Sequence, residues 1–225
     1  MEGVNDYWRQ LSPDEIAARK HRDFIGGLWE ELGSMQFEFM RSQGLLPHHV
    51  LLDVGCGALR GGLFFVRYLD TGNYCGLDIN ASLVEAGRRE IADASLLGKS
   101  PRLLVNENFE ASIFGTQFDF ALAQSVFTHL YMNHILRCLR EVRRVLAPGG
   151  RFFATFFEAP DSVHTSPIQH TPGDVTTFYD RNPFHHSLEE IELLSGLAGM
   201  IPDYIGDWGH PRGQKMVCFV RGGAS

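Results

Sequence analysis

The chain has 225 residues, with 20 Lys and Arg against 27 Asp and Glu, a formal net charge of −7 with histidine neutral. That length suits one good-sized domain, and 44% hydrophobic with 12% aromatic residues can fill a core, which excludes disorder as the main state. The acidic balance argues against wrapping nucleic acid or anionic lipid, and no run approaches the ~20 apolar residues of a membrane helix.

The opening Met1-Glu2-Gly3-Val4-Asn5-Asp6 lacks the basic-then-apolar layout of a secretion signal. Residues 1–44 read as a helical cap. Ser12-Pro13-Asp14-Glu15 offers an N-cap serine, a first-turn proline and a capping-box glutamate. A second helix carries Trp29, Leu32, Gln36 and Phe39 and ends at Gly44. Strand and helix signals then alternate: strand over 50–54, helix over 61–69, strand over 74–79, helix over 81–94, and strands over 103–105 and 118–123. Ile135, Leu139, Val142 and Leu146 repeat at helical spacing until Pro148-Gly149-Gly150, ahead of a strand over 152–157. Arg137, Arg140, Arg143 and Arg144 lie off that stripe and read as a solvated helix face. Residues 158–186 hold four prolines and four histidines with little periodicity, too long for an ordinary connection. A last helix starts at Ser187, with Glu190 completing a second capping box. Strands over 203–207 and 215–220 then flank Trp208-Gly209-His210-Pro211-Arg212-Gly213 as an antiparallel hairpin. Short apolar strands separated by helices predict an α/β, doubly wound, Rossmann-like sheet covered on both faces. The four cysteines, Cys56, Cys75, Cys138 and Cys218, fall singly in apolar runs with no zinc spacing, so reduced, buried thiols in a cytoplasmic protein are expected, with no metal.

The chemistry begins at Leu51-Leu52-Asp53-Val54-Gly55-Cys56-Gly57, a glycine pair directly after the first parallel strand. Without Cβ atoms such a turn lets a ligand approach the backbone, with the N–H groups of the next helix facing it. Asp78 ends the second strand, where an acid accepts hydrogen bonds from both hydroxyls of a ribose. Together they predict a nucleoside-containing cofactor. The nicotinamide fingerprint G-x-G-x-x-G would need a third glycine where Arg60 stands. Asp53 suits the ammonium of an amino acid and Arg60 its carboxylate, and a ligand with ribose, ammonium and carboxylate is S-adenosylmethionine.

These residues resemble a known family. Leu52-Asp53-Val54-Gly55-Cys56-Gly57 is similar to motif I of the class I S-adenosylmethionine-dependent methyltransferases, and Gly76-Leu77-Asp78-Ile79 to motif II. Residues 118–130, which include Gln124-Ser125-Val126-Phe127-Thr128-His129, resemble motif IV and the segment after it in the small-molecule branch. Residues 139–153, with Pro148-Gly149-Gly150, resemble the family's helix, turn and fifth strand. The resemblance covers about 50–157 and implies a mostly parallel seven-stranded sheet, the terminal hairpin supplying the reversed seventh strand. It divides a single domain (1–225) into an N-terminal helical cap (1–44), a cofactor-binding core (50–157) and a substrate-side roof (158–186). The family's third glycine stands as Leu59 here, so the loop is expected to run differently after Gly57. The cofactor set it implies is Asp53, Gly55, Gly57, Arg60, Asp78, Ile79, Gln124 and Ser125, with Asn108 and Phe109 at the adenine.

The crevice of an open parallel sheet lies beyond the carboxyl ends of its strands. Trp29, His170, Trp208 and His210 are therefore the expected substrate contacts. His129 or His186 is the expected general base, since histidine titrates in the range that task needs. The expected reaction is methyl transfer to a small-molecule acceptor, at oxygen, by a monomer or homodimer without nucleic-acid or membrane partners. Transfer to nitrogen, and a non-catalytic S-adenosylmethionine-binding partner subunit, stand as the alternatives.

Overall fold

The computed structural model describes residues 6–222. Its sheet is built from strands that are buried because helices cover both faces. β1 (Leu51–Val54) and β2 (Tyr74–Asp78) are buried at every position, and β3 (Arg102–Val105) closes one edge. β4 (Phe118–Ala123) and β5 (Leu146–Glu158) extend the parallel array. β6 (Ile168–His170) and β7 (Val175–Thr177) pair as a separate small hairpin, and β8 (His185–His186) runs parallel to the end of β5. β9 (Met200–Asp207) and β10 (Lys215–Arg221) form the terminal hairpin. The order is β3-β2-β1-β4-β5-β10-β9, with β10 antiparallel to both neighbours. This is the doubly wound sheet expected from the sequence, and the return strand β9 starts earlier than expected because its pairing with β10 reaches back to Met200.

Alternation along each strand sorts the side chains between two cores, as a period of two requires. Leu52, Cys75, Ala121, Phe152 and Val217 lie on one face with Ile135, Leu139, Val142, Ile191 and Leu194. These last come from α6 (Met132–Val145) and α7 (Leu188–Ala198). Leu51, Tyr74, Leu122, Phe153 and Cys218 lie on the other face with Met40, Phe65 and Ile91. Those belong to α3 (Trp29–Ser42), α4 (Gly62–Tyr68) and α5 (Ala81–Asp93). All four cysteines are buried free thiols. The arginines of α6 do more than face water: Arg143 Nε donates to Gly199 O at 2.9 Å and Arg140 to Leu197 O at 3.4 Å, capping the end of α7.

Two short helices, α1 (Pro13–Ala17) and α2 (His21–Phe24), precede α3. Both capping boxes form, Ser12 with Glu15 and Ser187 with Glu190. The N-terminal segment is anchored by a buried ion cluster. Glu90 of α5 accepts from Arg22 Nε and Nη2 at 2.9 and 2.8 Å and lies 2.8 Å from His21 Nε2. Burial opposes its charge, but these partners hold the carboxyl below its usual range. Among the described residues, no helix is long and apolar enough to cross a membrane.

Candidate functional site

The carboxyl ends of β1, β2 and β4 open into a cleft. The turn after β1 builds its floor. Gly55 (φ +70°) and Gly57 (φ +54°) take left-handed backbone, and a Cβ on Gly55 would sit 2.5 Å from Val126 Cγ2. A Cβ on Gly57 would meet only Ile25 at 3.8 Å, so space stands open over that peptide. Leu59 also takes a left-handed φ, +69°, with its side chain fully buried. The turn is thus made with leucine where the family resemblance places glycine.

Asp78 hangs from the end of β2 into this turn. Its Oδ2 accepts from Gly57 N and its Oδ1 from Asn80 N, each at 2.8 Å. Burial raises its pKa, and these backbone donors pull the other way. Each oxygen keeps acceptor capacity at the cleft, which fits a vicinal diol such as that of ribose. Asp53 is buried beside it. Desolvation pushes its pKa up to about 7, against the hydrogen bond from Tyr74 Oη at 2.6 Å and with the charge of Asp78 adding to the rise. Arg60, also nearly buried, donates from Nη1 to Gly27 O at 2.9 Å and Ile25 O at 3.2 Å. Burial, then the charge of Arg212, lowers its pKa to about 10.

Ten residues expected at the site share this cleft: Asp53, Gly55, Gly57, Arg60, Asp78, Ile79, Phe109, Gln124, Ser125 and His129. The others stand elsewhere. Asn108 accepts from Arg137 at 2.9 Å, while its neighbours Asn106 and Glu107 line the cleft. His186 is buried, 3.3 Å from Phe127 O, and burial lowers its pKa. Trp29 packs under Arg22, 4.5 Å from ring centre to guanidinium, and against His21. His170 borders a second groove with Glu158, Gln169 and Lys215. Trp208 packs between Phe39, which meets it edge-on, and a tilted His210 ring. His210 lies behind the wall, 3.1 Å from the Gln124 amide.

Residues 158–186 do not line the cleft; the N-terminal segment does, through Tyr7, Trp8 and Ile25, with Gln36 of α3 beside them. Asn80 explains how. Its Oδ1 caps α5 through Ser82 N and Leu83 N, and its Nδ2 donates to Tyr7 O and Arg9 O at 2.7 and 2.8 Å. Ser82 Oγ accepts from Leu11 N at 2.8 Å. The strap over residues 7–11 is therefore pinned two residues past Asp78. Residues 182–186 instead dock on the turn after β4: Phe184 N donates to Thr128 O at 2.7 Å, and Asn182 Oδ1 lies 2.5 Å from His129 Nδ1. Tyr7 meets the same imidazole edge-on, with centroids 4.8 Å apart. The aromatic pair Tyr7-Trp8 ahead of the first capping box and the Gly26-Gly27 turn that Arg60 caps were the available sequence signals for this lid.

Residues 52–152 match the family described as Methyltransferase domain. A probable methyltransferase, ltbC, of Aspergillus luteorubrus is 31% identical over 115 residues, covering 47% of this chain and 40% of that protein. The uncharacterized protein RP028 of Rickettsia prowazekii is 23% identical over 146 residues, 64% of this chain and 56% of that one. The chain thus spans about half the length of these curated relatives. In fold it is similar to an S-adenosylmethionine-dependent methyltransferase of Clostridium acetobutylicum, with a TM-score of 0.68 at 12% identity, over 93% of this chain and 99% of that one. The family match falls on the segment that carries the glycine turn, Asp78 and β4, and over that segment the chain is similar to the methyltransferase domain family.

Proposed function

We propose that this chain transfers the methyl group of S-adenosylmethionine to an oxygen of a small organic acceptor, as a single domain whose N-terminal helices close the cofactor cleft. The observation that carries the reading is Asp78, whose two carboxylate oxygens are oriented by Gly57 N and Asn80 N beside the open face of Gly57. They would hold the ribose hydroxyls. Asp53 would face the ammonium and Arg60 the carboxylate of the amino-acid end, with Ile79 and Phe109 packing on the adenine. The cofactor supplies an electrophilic methyl group on a sulfonium.

The chain's part is to align the acceptor, exclude water and take its proton. Tyr7 and Trp8 supply the cover. His129 is the general base: an Nδ1 proton given to Asn182 Oδ1 fixes the tautomer with a basic Nε2. A cytoplasmic setting accords with four buried free thiols. The test is transfer of labelled methyl from S-adenosylmethionine to phenols, carboxylic acids and amines offered separately. Label on oxygen acceptors, abolished by His129→Ala, is expected; label confined to amines overturns the oxygen reading, and no transfer to any acceptor counts against the enzyme itself.

A further inference from the structure

Helix α3 meets the cofactor loop at two glycines. A Cβ on Gly33 would lie 2.5 Å from Arg60 O and 2.8 Å from Phe64 Cε2, so α3 rests directly on the Arg60 backbone. One turn further along α3, the side chain of Gln36 reaches the next residue of the loop. A Cβ on Gly61 would lie 2.3 Å from Gln36 Oε1 and 3.1 Å from its Cδ. Gly61 has ordinary helical backbone, φ −80° and ψ −34°, which any residue adopts. Its missing side chain therefore serves space rather than conformation: it lets the Gln36 carboxamide lie against the start of α4.

The amide so placed has no partner in the chain. Gln36 is 5% exposed and lines the cleft. Among the described residues no group hydrogen-bonds to its Oε1 or Nε2, yet neither atom is sealed off from the surface. The other buried polar side chains that line the cleft are Asp53, Arg60, Asp78 and Gln124. In the methyl-transfer reading the first three face the cofactor, while Gln124 hydrogen-bonds to Ser125 and His210. Of these five, Gln36 is left for the acceptor, with Tyr7, Trp8, Ile25 and Leu130 as aromatic and apolar surroundings. A carboxamide carries no charge and offers both donors and an acceptor, which matches a hydroxyl that donates and accepts. An acceptor lacking that hydroxyl leaves the buried amide unpaired, and that cost becomes discrimination.

We propose that Gln36 sets acceptor specificity: it selects an aromatic acceptor that carries a second, uncharged hydroxyl besides the oxygen that is methylated. The inference rests on the methyl-transfer reading for its cofactor, and the probes are phenol and the three dihydroxybenzenes, catechol, resorcinol and hydroquinone, which differ in hydroxyl spacing. Titrated into the S-adenosylhomocysteine complex, at least one dihydroxybenzene should bind about tenfold or more tighter than phenol. Gln36→Met, of similar volume but without the amide, should erase that preference and leave the affinities for phenol and S-adenosylhomocysteine as they were. A dihydroxybenzene preference that is absent from the unmodified chain, or that survives Gln36→Met, overturns the proposal. Weaker S-adenosylhomocysteine in Gln36→Met also overturns it, by assigning the amide to the cofactor, and leaves the methyl-transfer reading intact. A measurement on the unmodified chain guards against a variant that fails to fold: the Gln36 side-chain NH₂ signals in ¹H–¹⁵N correlation spectra should shift with the preferred dihydroxybenzene and stay in place with phenol. Signals that stay in place with both overturn the assignment. Should S-adenosylhomocysteine not bind at all, the methyl-transfer reading fails, and the same titrations and spectra on the free chain still decide whether Gln36 reads the second hydroxyl.

Discussion

Leu59 is the sharpest test of how the cofactor turn is held. Its left-handed φ of +69° costs a leucine about 1–2 kcal/mol. Leu59→Gly would recover that strain. It would also empty a fully buried site: a Cβ on Gly62 would lie 2.8 Å from Leu59 Cδ2, and one on Gly87 2.8 Å from Leu59 Cγ, so the side chain fills the space those two glycines leave. Truncating a buried leucine costs about 2–5 kcal/mol, and an added glycine about 0.5–1 kcal/mol more in backbone entropy. Packing therefore outweighs strain, and the variant should be destabilised by about 2–4 kcal/mol. Urea unfolding followed by tryptophan fluorescence measures this as a lower midpoint at unchanged slope. An unchanged or higher midpoint would refute the reasoning, because the left-handed strain would then be the larger quantity.

Asp78→Ala should weaken S-adenosylhomocysteine by about 1–3 kcal/mol in calorimetric titration, through lost hydrogen bonds to the ribose; full affinity in that variant removes Asp78 from the site. His129→Ala should slow methyl transfer by about 10²–10⁴-fold while S-adenosylhomocysteine still binds, and a rate within a few-fold of the parent rules it out as the base. Asp53 makes a pH prediction for the unliganded chain. Its pKa rises from 3.8 to about 7 on folding, so its contribution to stability is whole below 3.8 and drains away as pH climbs toward 7. Asp53→Asn should accordingly lose less stability than the parent between pH 5 and pH 8 in urea titrations; parallel losses would mean Asp53 is not buried in its protonated form. Gly87→Ala, whose Cβ meets Leu59 across 2.8 Å, should destabilise by about 1–3 kcal/mol, and a neutral result in thermal unfolding would show that the α5 contact yields.

The sheet and the cofactor turn were legible in the sequence because their signals are local. Asp53, Gly55, Gly57, Arg60 and Asp78 sit on two adjacent strand ends, and the strand–turn–helix pattern alone brings them together. Leu59 suggested a different path for the loop, yet it takes the backbone conformation glycine favours, because the cavity beside Gly62 and Gly87 holds its side chain. What covers the cleft was less visible. The histidine-rich stretch over 158–186 reads as a roof, but its polar groups bind one another and α7: Thr177 Oγ1 lies 2.8 Å from both His170 Nε2 and His185 Nδ1, and His164 Nε2 lies 2.8 Å from Glu190 of α7. Tyr7 and Trp8 reach the cleft only because Asn80, more than 70 residues away, donates to their strap. Contacts of that range leave no periodicity to read. The pairing of Asn182 with His129 is of the same kind.

The central claim is that the cleft beside Asp78 holds an adenosyl cofactor with an amino-acid end. Calorimetric titration of the purified chain with S-adenosylmethionine, S-adenosylhomocysteine and NADH, side by side, tests it most directly. The account predicts micromolar binding of both adenosyl ligands and none of NADH; binding of NADH with silence from the other two would contradict it.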